Sequence, residues 1–211
     1  MTQKKQNEIL NYLYMLESMG YEYHQDISLP QNQIVTTTLP DHLENLQNII
    51  DNCNLCNLHK LKTSAQTDYI NPNSKIVFIS LYRLKQKEIL ENMVQNVLKI
   101  PYEQITLLSI IKCDSSDENS KINENIDICK HYILKQLEIL APKLIVTLGD
   151  SYKYILNSSA NLSTIHGATL QYNQIDTIPI YDPEILVKNP SLKKDTFNDL
   201  QKIKLLLEKL I

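Results

Sequence analysis

The sequence predicts a three-layer α/β/α sandwich with a central four-stranded parallel sheet. Two observations lead there. Four short apolar runs, "KIVFIS", "QITLLSII", "KLIVTLG" and "TIPIYD", are continuous rather than alternating, the pattern of strands covered on both faces. Segments of helical period separate them, as crossover helices do in a parallel sheet. With 211 residues, 43% of them hydrophobic, the chain is long enough to bury one sizeable core.

Taken in order, residues 3–18 carry Ile9, Leu13 and Leu16 at helical spacing, with Gly20 as a stop. The stretch bounded by Pro30 and Pro40 has no helical period, so residues 1–40 read as a helix and a linker and residues 41–211 as the main domain. A helix over 41–50 opens with Asp41 as its cap. Strands follow at 75–80, 104–111, 143–149 and 177–182, with helices at 87–99, 122–140, 150–156 and 194–210. The helix at 122–140 sets Ile122, Ile126, Cys129, Ile133, Leu137 and Leu140 on one stripe. "ATLQYNQ" suggests a small extra strand before the last one. Ligands are expected beyond the carboxyl ends of the strands, at Ser80 and Leu81, Ser109 to Cys113, Gly149, and Asp182 with Pro183.

A formal net charge of −3 argues against a surface uniformly coated for nucleic acid and leaves room for a local basic patch. No run of 18 apolar residues occurs, and the N-terminus has no leader pattern, so a cytoplasmic protein is expected. In a reducing compartment, clustered cysteines point to a metal or redox site rather than to disulfides. The four cysteines form two pairs, Cys53-x2-Cys56 and Cys113-x15-Cys129. Four soft thiolates suit zinc or an iron–sulfur cluster, and spacing does not choose between them. Cys113 and Cys129 also fit as small buried apolar residues.

"CNLCNLHKLKT" is followed by "SIIKC", by "NIDICKHYILKQLEILAPKLIVTLG", by "IHGATL" and by "TIPIYDPEILVKNPSLKKDTFNDLQKI". In this order the motifs resemble those of the iron–sulfur uracil-DNA glycosylases, family 4 of that superfamily, which has relatives described as phage DNA polymerase-related proteins. The resemblance covers about residues 41–210. It implies a 4Fe-4S cluster on Cys53, Cys56, Cys113 and Cys129, with zinc as the runner-up, and a monomer that binds DNA in repair or replication. It further implies DNA contacts from Lys60 and Lys62 after the first cysteine pair, from His166 and Gly167, and from Leu186, Lys188, Asn189, Lys193 and Lys194. Leu186 would be the residue that wedges into the duplex.

The departures from the family pattern fall where base excision needs its chemistry. The family's glycine- and proline-rich loops after the first strand, which place a water-activating acid and an aromatic face for the base, are replaced by "SLYRLKQKEILENMV". Ser80, Leu81 and Ser109 remain as base-pocket candidates, with Ser109 where the family has the Asn that reads uracil. One hydroxyl does not supply the paired donor and acceptor of an amide. Asp182 stands where the family has the His that stabilises the departing anion, and an ionised carboxylate there is repulsive. Weak or no uracil excision by the family mechanism is therefore expected. Two other expectations stand beside it: an active base-excision glycosylase using Asp182 or Glu88 as a substitute acid, and a non-catalytic scaffold docking to replication or repair proteins through residues 1–40.

Overall fold

The structure, a computed structural model, describes residues 11–15, 17–20, 39–61, 68–113 and 122–210. The chain divides into two compact units, Met1–Thr38 and Leu39–Ile211. In the first, residues 11–15 and 17–18 are helical and Gly20 takes a left-handed φ of 84°. The rest of the helix and linker expected there lies outside the described residues.

In the second unit, helix α1 (Leu43–Asp51) leads to a 3-10 turn at Asn57–Leu61 and to strand β1 (Ile76–Ser80). Helix α2 (Lys87–Asn92) runs into a π-helical stretch, Met93–Leu98, closed by Lys99 at φ 61°. Strand β2 (Ile105–Ser109), helix α3 (Ile122–Leu140), strand β3 (Leu144–Leu148) and helices α4 (Ser151–Ile155) and α5 (Leu162–Ile165) follow. The chain continues through β4 (Leu170–Tyr172), β5 (Ile175–Ile180), α6 (Pro183–Lys188) and α7 (Lys193–Leu210).

The sheet order is β2-β1-β3-β5-β4. The first four strands are mutually parallel, as expected, and β4 adds a fifth, antiparallel strand at the β5 edge. The turn between β4 and β5 uses Asn173 and Gln174 at φ 47° and 67°, a left-handed pair of the kind that joins two antiparallel strands tightly. At the opposite edge, Tyr69 exchanges backbone hydrogen bonds with Leu107 at 2.8 and 2.7 Å. Pro179 lies beyond the β4 pairing, which ends at Thr177, so its missing N–H removes no bond to β4.

Continuous apolar strands sort their side chains by parity. Ile76 and Phe78 of β1 join Val146 of β3, Leu90 of α2 and Ile203 of α7 in one core. Val77 and Ile79 join Ile145 of β3 with Ile126, Ile133 and Leu137 of α3 in the other. The sheet is thus covered on both faces and the three layers are complete. Each side chain of this size removed from water contributes about 1.5–3 kcal/mol, so the two cores rather than helix propensity hold the unit together.

Two local expectations change. Helix α1 begins after His42 with no side-chain cap, because the Asp41 carboxylate accepts from Lys135 Nζ on α3 at 2.6 Å instead. Helices α5 and α6 were not expected as separate elements. Asn161 caps the first through the Ser163 N–H at 3.2 Å, and Asp182 caps the second through the Glu184 N–H at 2.8 Å, with Pro183 in the first turn.

Candidate active site and cysteine centre

A cavity of about 550 Å³ opens at the carboxyl ends of β1, β3 and β5, where a doubly covered parallel sheet leaves its crevice. Gly149 and Asp182 form its floor. Gly149 has φ 58°, and a Cβ there would meet the Asp182 Cβ at 3.1 Å, so the bare glycine lets the two strand ends close on each other.

One wall is the loop after β1, which contributes Leu81, Tyr82, Arg83 and Lys85. Its backbone is held at both ends. Ser80 Oγ donates to the Tyr82 carbonyl at 2.6 Å, the Ile111 N–H donates to the Leu81 carbonyl at 3.0 Å, and the Lys85 N–H donates to Glu184 Oε1 on α6 at 3.1 Å. Of the three base-pocket candidates, only Leu81 lines the cavity. Ser80 is 2% exposed and acts as a peg for the loop. Glu88 is exposed on α2 and does not line the cavity, whereas Glu184 does.

Ser109 does not line the cavity. It is 1% exposed, and both its N–H and its Oγ donate to Asp68 Oδ1, at 2.8 and 3.0 Å. Asp68 Oδ2 in turn accepts from Lys112 Nζ at 2.6 Å and Gln136 Nε2 at 3.0 Å, and Lys112 Nζ also donates to Gln136 Oε1 at 2.7 Å. This buried carboxylate ties β2, the segment after it and α3 to the segment before β1. Sequence reasoning missed it, although the lysine inside the apolar run "SIIKC" signals a buried cation that needs a partner.

Asp182 lines the cavity and its Oδ1 is committed to the Glu184 N–H. Burial pushes its carboxyl above the ordinary carboxylate range and the Glu184 charge adds to this, while the Glu184 N–H and Lys188 pull it down.

The cysteines come from three segments. Cys53 follows α1, Cys56 opens the 3-10 turn, Cys113 follows β2 and Cys129 lies on α3. All four are free thiols, with Cys113 and Cys129 buried. Burial pushes the Cys129 thiol up, the Lys112 N–H bonded to it pulls down, and Cys56 and Cys53 lie near enough to raise it further. The Tyr132 hydroxyl, buried against α1, is raised chiefly by burial and then by its hydrogen bond to Cys53, with Cys129 and Cys113 adding to it. Four sulfurs with no carboxylate among them form the donor set of a soft metal centre. As they stand, no three His, Cys, Asp or Glu side chains among the described residues are placed to hold a metal ion. Cys113 also lines the cavity, so the cysteine centre and the strand-end crevice share a wall.

The basic segment after Asp182 is displayed unevenly. Lys188, Asn189, Lys193 and Lys194 are exposed, and Lys188 reaches the cavity rim. Leu186 is not: it is 4% exposed in the main core, and the side chains that α6 turns outward are Ile185 and Val187, at 40% and 51%. An amphipathic helix cannot present all three consecutive residues, and the central one is taken by the core. His166 Nδ1 pairs with the buried Asp199 Oδ2 at 2.7 Å and its ring packs 4.9 Å from Tyr181. Gly167 is buried against the same carboxylate rather than facing outward. Lys60 is exposed on the 3-10 turn, and Lys62 lies outside the described residues.

A family model described as the Uracil DNA glycosylase superfamily matches residues 67–202, well over half of the chain. The chain is 25% identical over 185 residues to the type-4 uracil-DNA glycosylase of Sulfurisphaera tokodaii, covering 78% of this chain and 84% of that protein. It is 23% identical over 184 residues to the type-4 uracil-DNA glycosylase of Archaeoglobus fulgidus, covering 77% and 92%. With the Thermotoga maritima enzyme of the same description the identity is 21% over 188 residues, covering 82% and 98%. The three-layer sheet, the crevice at its carboxyl end and these matches together place the chain in the uracil DNA glycosylase superfamily.

Proposed function

We propose that the chain is a DNA-binding repair protein of its superfamily that performs uracil excision by the usual family mechanism weakly or not at all. The observation that carries this reading is Ser109, whose hydrogen-bonding groups are spent on a buried carboxylate at the position from which the base would be read. Excision needs a pocket for an extruded base, stabilisation of the leaving group and a placed water. The cavity supplies the first. Asp182, in place of a leaving-group donor, works against the second.

DNA affinity rests on Lys60, Lys188, Lys193 and Lys194, which are exposed and need supply only charge and donors to phosphate. Cys53, Cys56, Cys113 and Cys129 would hold a 4Fe-4S cluster, with zinc as the alternative. A bound cluster supplies a cross-link between the segment after α1, the end of β2 and α3. Cluster-loaded protein should be brown and absorb near ~400 nm; a colourless protein with one bound zinc would replace the cluster by zinc.

A second reading, in which Asp182 is the base of an active glycosylase, is favoured by its position in the cavity and its raised carboxyl. Such a base works only when ionised, so activity would be lost on acidification at a higher pH than for an ordinary carboxylate. A single-turnover assay on uracil-containing single- and double-stranded DNA, beside Asp182→Ala, separates the two readings. We expect no appreciable release from protein that binds the DNA; release that the variant loses would establish the second reading. Replacing Lys188 and Lys193 together by Ala should weaken duplex binding for every sequence and lower its salt slope by about 2. Parent protein that binds no DNA at all would leave the scaffold role through residues 1–40.

A further inference from the structure

Resting on the reading that Cys53, Cys56, Cys113 and Cys129 hold a metal centre, we propose that Tyr132 serves that centre as a positioning residue. Its hydroxyl donates to the Cys53 sulfur and so sets how firmly the metal is held and, for an iron–sulfur cluster, how readily it is reduced.

Tyr132 stands where two of the cysteine-bearing segments meet. It follows Cys129 by three residues on α3, which puts both side chains on one face of the helix. Its ring is 5% exposed and packs with Leu46 and Ile50 of α1, and Cys53 packs against the same group. Helix α3 therefore contributes Cys129 and, one turn later, a phenol that reaches across to the cysteine following α1. That hydroxyl is hydrogen-bonded to Cys53, with Cys129 and Cys113 near enough to act on it electrostatically. Packing between α1 and α3 needs only the ring, whereas a buried hydroxyl needs a partner, and here the partner is one of the four sulfurs.

The direction of the bond follows from the chemistry of ligation. A free thiol can donate or accept, but a metal-bound cysteine has lost its proton and can only accept. In the loaded protein the Tyr132 O–H must therefore point at the sulfur. Cys129 has the corresponding donor in the Lys112 backbone N–H. Each donor draws negative charge off a sulfur. That steadies the ligand and favours the more negative, reduced state of a cluster over the oxidised one. The Lys112 N–H cannot be deleted by changing a side chain; the Tyr132 oxygen can. Its place is also telling, because Cys53 and Cys56 are partly exposed while Cys113 and Cys129 are buried. Tyr132 thus supports the side of the centre that chelators and oxidants reach.

The test is Tyr132→Phe in the full chain, which keeps the ring and removes the oxygen alone. Protein loaded without oxygen is analysed for iron and zinc, then titrated electrochemically and challenged with EDTA. With a cluster bound, the reduction equilibrium of the variant should be about tenfold less favourable than that of the parent, a fall of about 59 mV for one electron. Loss of metal to EDTA should be about tenfold faster. If the bound metal is zinc, the reading is its affinity in competition with the chelator, lower by about the same factor. Ile203→Val, a small deletion in the opposite core, is the control for stability: it should lower the melting temperature and leave potential and metal retention unchanged. A Tyr132→Phe protein with the potential and retention of the parent, or an Ile203→Val protein that shows the same changes, would overturn the role of Tyr132 and leave the metal centre standing. A parent that takes up neither iron nor zinc would overturn the metal reading itself, and the role of Tyr132 with it.

Discussion

Asp68→Ala is expected to destabilise the Leu39–Ile211 unit by about 3–5 kcal/mol in urea unfolding of the full chain at 25 °C. Asp68 and Lys112 have side chains 2% exposed and 2.6 Å apart. The carboxylate accepts four hydrogen bonds: two from Ser109, one from Lys112 and one from Gln136. Truncating it leaves an ammonium group buried with only Gln136 Oε1 as a partner and takes from Ser109 the carboxylate to which its N–H and hydroxyl donate. The converse change is milder. Asp68→Leu combined with Lys112→Met removes both charges and should cost well under the sum of the single variants, since an apolar pair avoids the desolvation that the ion pair carries. Lys112 adjoins Cys113 and its N–H bonds Cys129, so Asp68→Ala should also shorten the time for which loaded protein retains its metal under a chelator. A loss of stability below about 1 kcal/mol would show that the network is not the brace described here.

Gly167→Ala should be comparably severe, by about 3 kcal/mol or more. Its backbone sits at φ 67°, which side chains adopt only under strain, and the added Cβ would fall 1.9 Å from Asp199 Oδ1 and 2.5 Å from its Cγ. Asp199 cannot yield easily. It is 1% exposed and held by His166 Nδ1 at 2.7 Å, and Lys202 Nζ closes the third side, 2.9 Å from the same Cβ. Thermal unfolding of Gly167→Ala, Asp199→Ala and the double variant distinguishes crowding from backbone strain. If crowding dominates, the double variant is less destabilised than the sum of the two singles. Strict additivity would mean that the left-handed backbone alone sets the penalty.

The layers of this fold were open to view in the sequence because its strands are buried on both faces, and "KIVFIS" or "KLIVTLG" has no other economical reading. Helix α3 was legible end to end for the same reason, its stripe being continuous from Ile122 to Leu140. What escaped was created by tertiary contact. Asp68 stands in "SAQTDYIN", a polar stretch with no period, and only the arrival of Lys112 and Gln136 makes its carboxylate a buried one. Asp182, which stands where the family has a histidine, is also placed by the sequence to cap the turn before Glu184, and its bond from the Glu184 N–H makes it a helix cap first. The family motif implies that Leu186 is an exposed wedge; a helical turn between Pro183 and Lys188 rotates it into the core and leaves Ile185 and Val187 outside. Tyr82 and Arg83 lay in a loop that matched no pattern, so their place in the cavity could come only from the path of the chain.

The two borders of the sheet bear on how this protein can associate with others. One border ends in β4, three residues long and turned back by the Asn173–Gln174 pair; at the other, Tyr69 already occupies backbone groups of Leu107. Unpaired strand borders are templates on which a foreign strand can grow, and here one is very short and the other partly taken. Strand addition and runaway self-association are therefore disfavoured for the folded unit. A partner must engage it through side chains on its helices and loops, and only release of the segment around Asp68 would bare β2 and open the route to fibrous assembly.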